Sequence, residues 1–76
     1  MGWVIVEFPE TREVFVDDRG QGNNRDEHAQ YRTLIIQDGL HTFRLGDHAD
    51  VSPTTKNADV KNTSALDPLH VVFTQV

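Results

Sequence analysis

Trp3-Val4-Ile5-Val6-Glu7-Phe8-Pro9 decides how the rest of the chain reads. Val4, Val6 and Phe8 alternate with Trp3, Ile5 and Glu7, so the period is two and one face of an extended strand is apolar throughout. Pro9 ends the run, because proline has no N–H to give to a sheet ladder. Working outward, Glu13-Val14-Phe15-Val16-Asp17 alternates again after the tight connection Pro9-Glu10-Thr11-Arg12. Tyr31 to Gln37 supplies a third strand, with Leu34 and Ile36 on one face and Ile35 on the other. His41-Thr42-Phe43-Arg44-Leu45 supplies a fourth, Phe43 and Leu45 pointing inward. Asn57 to Thr63 alternates weakly through Ala58 and Val60, and Leu69, Val71 and Phe73 mark a closing strand.

The segments between these runs are turn chemistry. Asp18 to Asn24 is rich in glycine and asparagine, residues that accept positive φ. Asp38-Gly39 reads as a type I′ hairpin turn joining the third and fourth strands. Asp47 to Lys56 is polar with Pro53 inside it, and Asp67-Pro68 breaks the chain once more. Residues 24–32 are open to two readings. Asn24 as N-cap with Glu27 three residues on would start a short helical turn, whereas an isolated helix of that length is marginal in water. Six strands at a spacing of ~8–12 residues predict an all-β fold. The expected form is a small antiparallel β-sandwich, a single domain over residues 1–76.

Composition narrows the functions. Twelve carboxylates against seven Lys and Arg leave a net charge of −5, which argues against nucleic acid as a partner, since that requires a basic face. No apolar run approaches the ~20 residues of a membrane span, and no membrane insertion is expected. The N-terminal stretch has no basic n-region and does not read as a signal peptide; a cytoplasmic protein and a fragment of a surface protein both fit. Gly2 is followed by Val6 where a myristoylation motif wants Ser or Thr. Cysteine is absent, which removes disulfides, thiolate catalysis and cysteine zinc sites.

Candidate chemistry is sparse. Asp17, Asp18, Asp26 and Glu27 offer oxygens to calcium, but the EF-hand spacing is missing and turn carboxylates usually bond their own backbone. Asp47, His48 and Asp50 make a second such loop. His28, His41, His48 and His70 show neither H-x-H nor H-x3-H spacing, so no metal site is expected. His41 and His70 fall opposite the core and read as solvated. Neither Ser52 nor Ser64 has a Gly-flanked elbow, and a chain this short has scant room for a catalytic pocket. Asn62-Thr63-Ser64 fits a glycosylation sequon but reads as coincidence. No catalytic residue, no cofactor and no enzyme activity are expected.

What remains is surface. With Val4, Val6, Phe8, Val14 and Val16 inward, alternation leaves Trp3, Ile5 and Phe15 outward, joined by Tyr31 as candidate binding residues. The competing reading packs these side chains under the loop from Asn23 to Tyr31. The terminal strands Trp3–Phe8 and Leu69–Gln75 hold only Glu7 and His70 to blunt an open sheet edge. The expected role is therefore a non-catalytic interaction or structural module, binding a protein partner or a second copy of itself by an edge strand. The alternative is a small carbohydrate- or calcium-binding domain, with the aromatics as a platform beside Asn23, Asn24 or Asp26.

Two blocks also resemble a known family. Phe8-Pro9-Glu10 followed by Val14-Phe15-Val16-Asp17 and then Gly20 or Gly22 is similar to the signature of PEGA domains, with Thr11-Arg12 where the family has Gly-Ala. Leu34-Ile35-Ile36-Gln37-Asp38-Gly39-Leu40-His41-Thr42-Phe43-Arg44-Leu45 resembles the family hairpin. Asn24 to Arg32 is longer than the family connection, and Asp47-His48-Ala49-Asp50 stands where the family has a Gly-aromatic pair. The resemblance implies a bacterial or archaeal β-sandwich module, often appended to surface proteins, with no catalytic residues.

Overall fold

The computed structural model describes all 76 residues. Its nine strands are β1 (Gly2–Glu7), β2 (Glu13–Val16), β3 (Arg19–Asn23), β4 (Leu34–Ile36), β5 (Gly39–Leu45), β6 (Val51–Ser52), β7 (Thr55–Val60), β8 (Leu69–Val72) and β9 (Thr74–Gln75). The molecule is all-β. One sheet has the order β4-β1-β8, the facing sheet β3-β2-β5-β7, and β6 pairs with β9 as a small third element.

Alternation builds the core as the sequence predicts. Val4 and Val6 of β1 face Val14 and Val16 of β2, and Phe43, Leu45, Val60, Val71 and Phe73 fill the space between the sheets. Leu34 and Ile36 are buried while Ile35 stays 47% exposed. Such side chains are the main stabilising term, each contributing about 1.5–3 kcal/mol on burial. All pairings are antiparallel except β1 with β8, where Val4↔Leu69 through Glu7↔Val72 run parallel.

Three expectations are corrected, and one open reading, that of residues 24–32, is decided. First, Arg19–Asn23 is not all turn: Asp17 and Asp18 alone, at φ 52 and 65, make the two-residue hairpin between β2 and β3. Carboxylate side chains tolerate this left-handed conformation by bonding nearby backbone, so the glycine-rich stretch after them is free to be a strand. It carries an extra residue opposite Val14, where Gly22 at φ 85 absorbs a bulge. Second, Asp38-Gly39 is no hairpin. β4 and β5 lie in different sheets, and Gly39 at φ 125 turns the corner between them.

Residues 24–32, the open reading, contain no helix. Asp26 Oδ1 accepts the N–H groups of His28 and Gln30, and Arg25 bridges to Tyr31 as a miniature hairpin. Asn24 does not cap anything; it is fully buried. Its Oδ1 accepts the Arg12 N–H at 2.8 Å and its Nδ2 donates to the Glu10 carbonyl at 3.2 Å. Local side-chain bonding has out-competed the helix. Third, Trp3–Phe8 is not an edge, because β1 lies between β4 and β8.

Candidate functional site

A cleft of about 370 Å³ opens where the two sheets part, between the β3 edge and the β4 edge. Val16 and Ile36 form its floor, Arg19 and Gln21 one wall, Ile35 and Gln37 the other, and Asp17 with His41 close one end. Each position follows from local structure. The β2–β3 turn puts Asp17 beside β5, since Val16 pairs with Phe43. The corner at Gly39 brings His41 back under Gln37.

His41 Nδ1 lies 2.6 Å from Asp17 Oδ2 and its Nε2 lies 2.6 Å from the Gln37 carbonyl oxygen. Both partners are acceptors, so only the doubly protonated ring satisfies both contacts. The hydrogen bond to Asp17 accordingly raises the His41 pKa above its ordinary value, with the Gln37 carbonyl adding to it against an opposing effect of burial. Asp17 is held below the usual carboxylate range, first by the Thr42 N–H and then by His41. While both contacts hold, neither ring nitrogen has a lone pair turned to the cleft. The ring is a tie between the β2–β3 turn and the β4–β5 corner.

The β4 edge has a free backbone. Trp3 opposes Ile35 in the β1–β4 register, yet the Trp3 N–H is donated to Thr63 Oγ1 on the far side of the strand. Trp3 and Ile35 are therefore a non-hydrogen-bonded pair, and the Ile35 N–H and C=O turn outward. The other edges of the two main sheets are blunted. β3 is bulged, and Arg32 donates to its Asn23 carbonyl at 2.8 Å. β7 carries Lys56 and Asp59. Lys56 Nζ also donates to the Val72 carbonyl of β8 at 3.3 Å. Only β4 presents an uncharged Leu-Ile-Ile edge.

The four candidate binding residues are not brought together. Trp3 and Ile5 lie on the outer face of the three-stranded sheet, half-buried beside Ile35 and His70. Phe15 lies on the opposite outer face, where the Arg44 guanidinium stacks on it 4.2 Å from the ring centroid. Tyr31 packs under Arg25 at 4.1 Å and donates its OH to the Phe8 carbonyl. The first acidic group also disperses: Asp18 pairs with Arg44 and Glu27 with His28, while Asp17 and Asp26 are engaged as described. No three His, Asp or Glu side chains converge as a metal site requires. No helix is long and apolar enough to cross a membrane. The cleft residues Arg19, Gln21 and Gln37 carry no sequence signal beyond exposed polarity; the adjacency of Asp17 and His41 needed the β2–β5 register.

A second polar cluster lies where the β1–β2 connection meets β6 and β9. Arg12 donates to both Asp50 carboxylate oxygens at 2.9 and 3.0 Å, to the Asp47 carbonyl at 2.8 Å and to Glu10. Gln75 bonds Asp50 and Glu10 in turn. Hydrogen bonds from Arg12, then from Gln75, hold Asp50 and Glu10 below the usual carboxylate range. Its members mainly bond one another, which ties the β1–β2 connection to β6 and β9.

No family model, curated protein or solved structure matches the chain.

Proposed function

We propose that the chain is a non-catalytic β-sandwich interaction module that takes an extended segment of a protein partner along the β4 edge. The observation that carries this reading is the outward-facing Ile35 peptide beside a 370 Å³ cleft, on the one edge of the two main sheets without a blunting charge or bulge. Strand addition uses such groups for affinity and alternate side-chain pockets for specificity. The non-catalytic part of the reading is supported by the cleft lining, which holds no hydroxyl, thiol or amine, and by a histidine with both nitrogens engaged. The PEGA-like assignment is part of the same proposal. It is supported by Pro9-Glu10 in the β1–β2 connection and by Val14-Phe15-Val16-Asp17 running through β2 into its turn.

A neutral five-residue peptide of alternating Thr and Val tests the reading by NMR titration. Shifts confined to the amides of residues 33–37 and 19–21 support it. A response spread over β7 or β8, or none at millimolar peptide, retires it. An Ile35→Lys exchange, which puts a charge on the outer face of the edge, should abolish the shifts while leaving the thermal midpoint unchanged.

A further inference from the structure

Resting on that reading, the partner's chemistry can be taken one step further. The chain is acidic as a whole, yet the walls of the cleft are not. Of its seven Lys and Arg, Arg12, Arg44 and Lys61 pair with carboxylates. Lys56 is turned to the Val72 carbonyl, and Arg25 is wrapped by Tyr31 and the Phe8 and Ala29 carbonyls. Arg19 makes neither a salt bridge nor a side-chain hydrogen bond, with only the charge of Asp17 nearby, and Arg32 gives a single bond to the Asn23 carbonyl and has no carboxylate. Arg19 lines the cleft, and Arg32 lies against the same strand beyond Gln21, outside the lining.

Arg19 begins β3 and lines the cleft. Arg32 lies against the other end of the same strand: its Nη1 donates to the Asn23 carbonyl and comes within 2.6 Å of where a Gly22 Cβ would be. The two guanidinium-bearing positions are thus separated by about three strand residues, roughly 10 Å. Asp17, the one carboxylate lining the cleft, is already neutralised by His41. A strand laid along β4 would present alternate side chains to this wall about 7 Å apart, a spacing set by the two-residue repeat.

We infer that the segment captured at the β4 edge is acidic, with a side-chain carboxylate on Arg19, the Gln21 and Gln37 amides beside it, and Arg32 adding positive charge beyond Gln21. Arginine suits this because its planar fork donates two parallel bonds to one carboxylate. A second copy of this chain is the weaker occupant, since copies of net charge −5 repel.

The test compares two peptides in the same NMR titration, one alternating Thr with Glu and one alternating Thr with Lys. An exposed ion pair of ordinary surface strength on Arg19, with the added charge of Arg32, gives the Glu peptide a preference of roughly fivefold at low salt, shrinking toward none near 1 M salt. Arg19→Glu should remove or invert that preference. Lys61→Glu makes the same change in net charge away from the cleft and should retain it. Arg19 is exposed and makes no side-chain hydrogen bond, so an unchanged thermal midpoint accompanies the loss. If Glu and Lys peptides shift residues 33–37 equally, the charge selection is wrong while strand addition at β4 stands. If Lys61→Glu weakens the preference as much as Arg19→Glu, general charge and not these walls is responsible, and the inference falls. If neither charged peptide nor the neutral one shifts β4, both it and the edge reading fail.

Discussion

Arg12 and His41 tie opposite parts of the sandwich with equally covered side chains, each 15% exposed. They differ in what the tie is made of. Arg12 cannot lose its proton in any ordinary solution, and hydrogen bonds to Asp50 and Glu10 raise its pKa further. Four oxygen partners engage all four Nη hydrogens, and the Phe8 ring lies beneath it at 5.0 Å. His41 holds two acceptors with a titratable ring at the end of an open cleft. Equal burial therefore yields a permanent clamp at one place and a proton-dependent latch at the other. The Arg12 cluster reads as structure and the open cleft as the working face.

The largest effects should come from breaking the clamp region. Phe8 is 1% exposed, fills the core, and its carbonyl receives both Arg25 and Tyr31. Phe8→Ala should cost about 3–5 kcal/mol, the usual range for emptying a core aromatic site. The cleft counterpart Ile36→Val should cost about 0.5–1.5 kcal/mol. Urea titration of both variants checks the contrast; equal losses would mean that the two regions are not differently packed. Next comes Asn24→Ala, which strands the Arg12 N–H and the Glu10 carbonyl. About 1–3 kcal/mol should go with it, and hydrogen exchange at Arg12 should quicken. If Arg12 stays protected, the buried amide is not what holds the β1–β2 connection.

The same contrast explains how much could be read in advance. Val4, Val6, Phe8, Val14, Val16, Phe43 and Leu45 were legible because strand alternation is a local property, and burial obeys it residue by residue. What failed was long-range or competitive. Nothing in Asp38-Gly39 says whether the next strand returns beside β4 or crosses to the other sheet, because the same dipeptide suits a hairpin and a corner. Asn24 has the chemistry of a helix cap, but that chemistry serves equally well to bond a connection twelve residues away. Trp3, Ile5 and Phe15 point away from the core on β1 and β2, whereas Tyr31 lies outside any strand, packed against Arg25. Which outward face each would share depended on a sheet order that periodicity does not carry. Asp17 and His41 were each in view, one as a turn acid and one as a surface histidine; their meeting is a consequence of β2–β5 pairing.

The smallest predicted effect bears most directly on the latch. The His41 pKa is raised in the folded chain, so its contribution is fully present below the unfolded value of about 6.5. It is lost as pH rises through the folded value. Asp17, Asp50 and Glu10 have lowered values, so their contributions are present above the ordinary carboxylate range and are lost as pH falls through the folded ones. Acid therefore weakens both regions, while mild alkali weakens only the cleft end. Unfolding at pH 5.5 and 8.5 should show the parent losing stability at the higher pH. His41→Gln, which keeps a donor for Asp17 without a proton to lose, should lose less over the same interval. Arg12→Lys should lower stability at both pH values by the same amount, since a single ammonium cannot reproduce the bidentate bond to Asp50. The histidine variant decides the matter. If parent and His41→Gln fall in parallel between the two pH values, the proton on His41 is not holding the cleft shut at that end, and the distinction between clamp and latch collapses into two clamps.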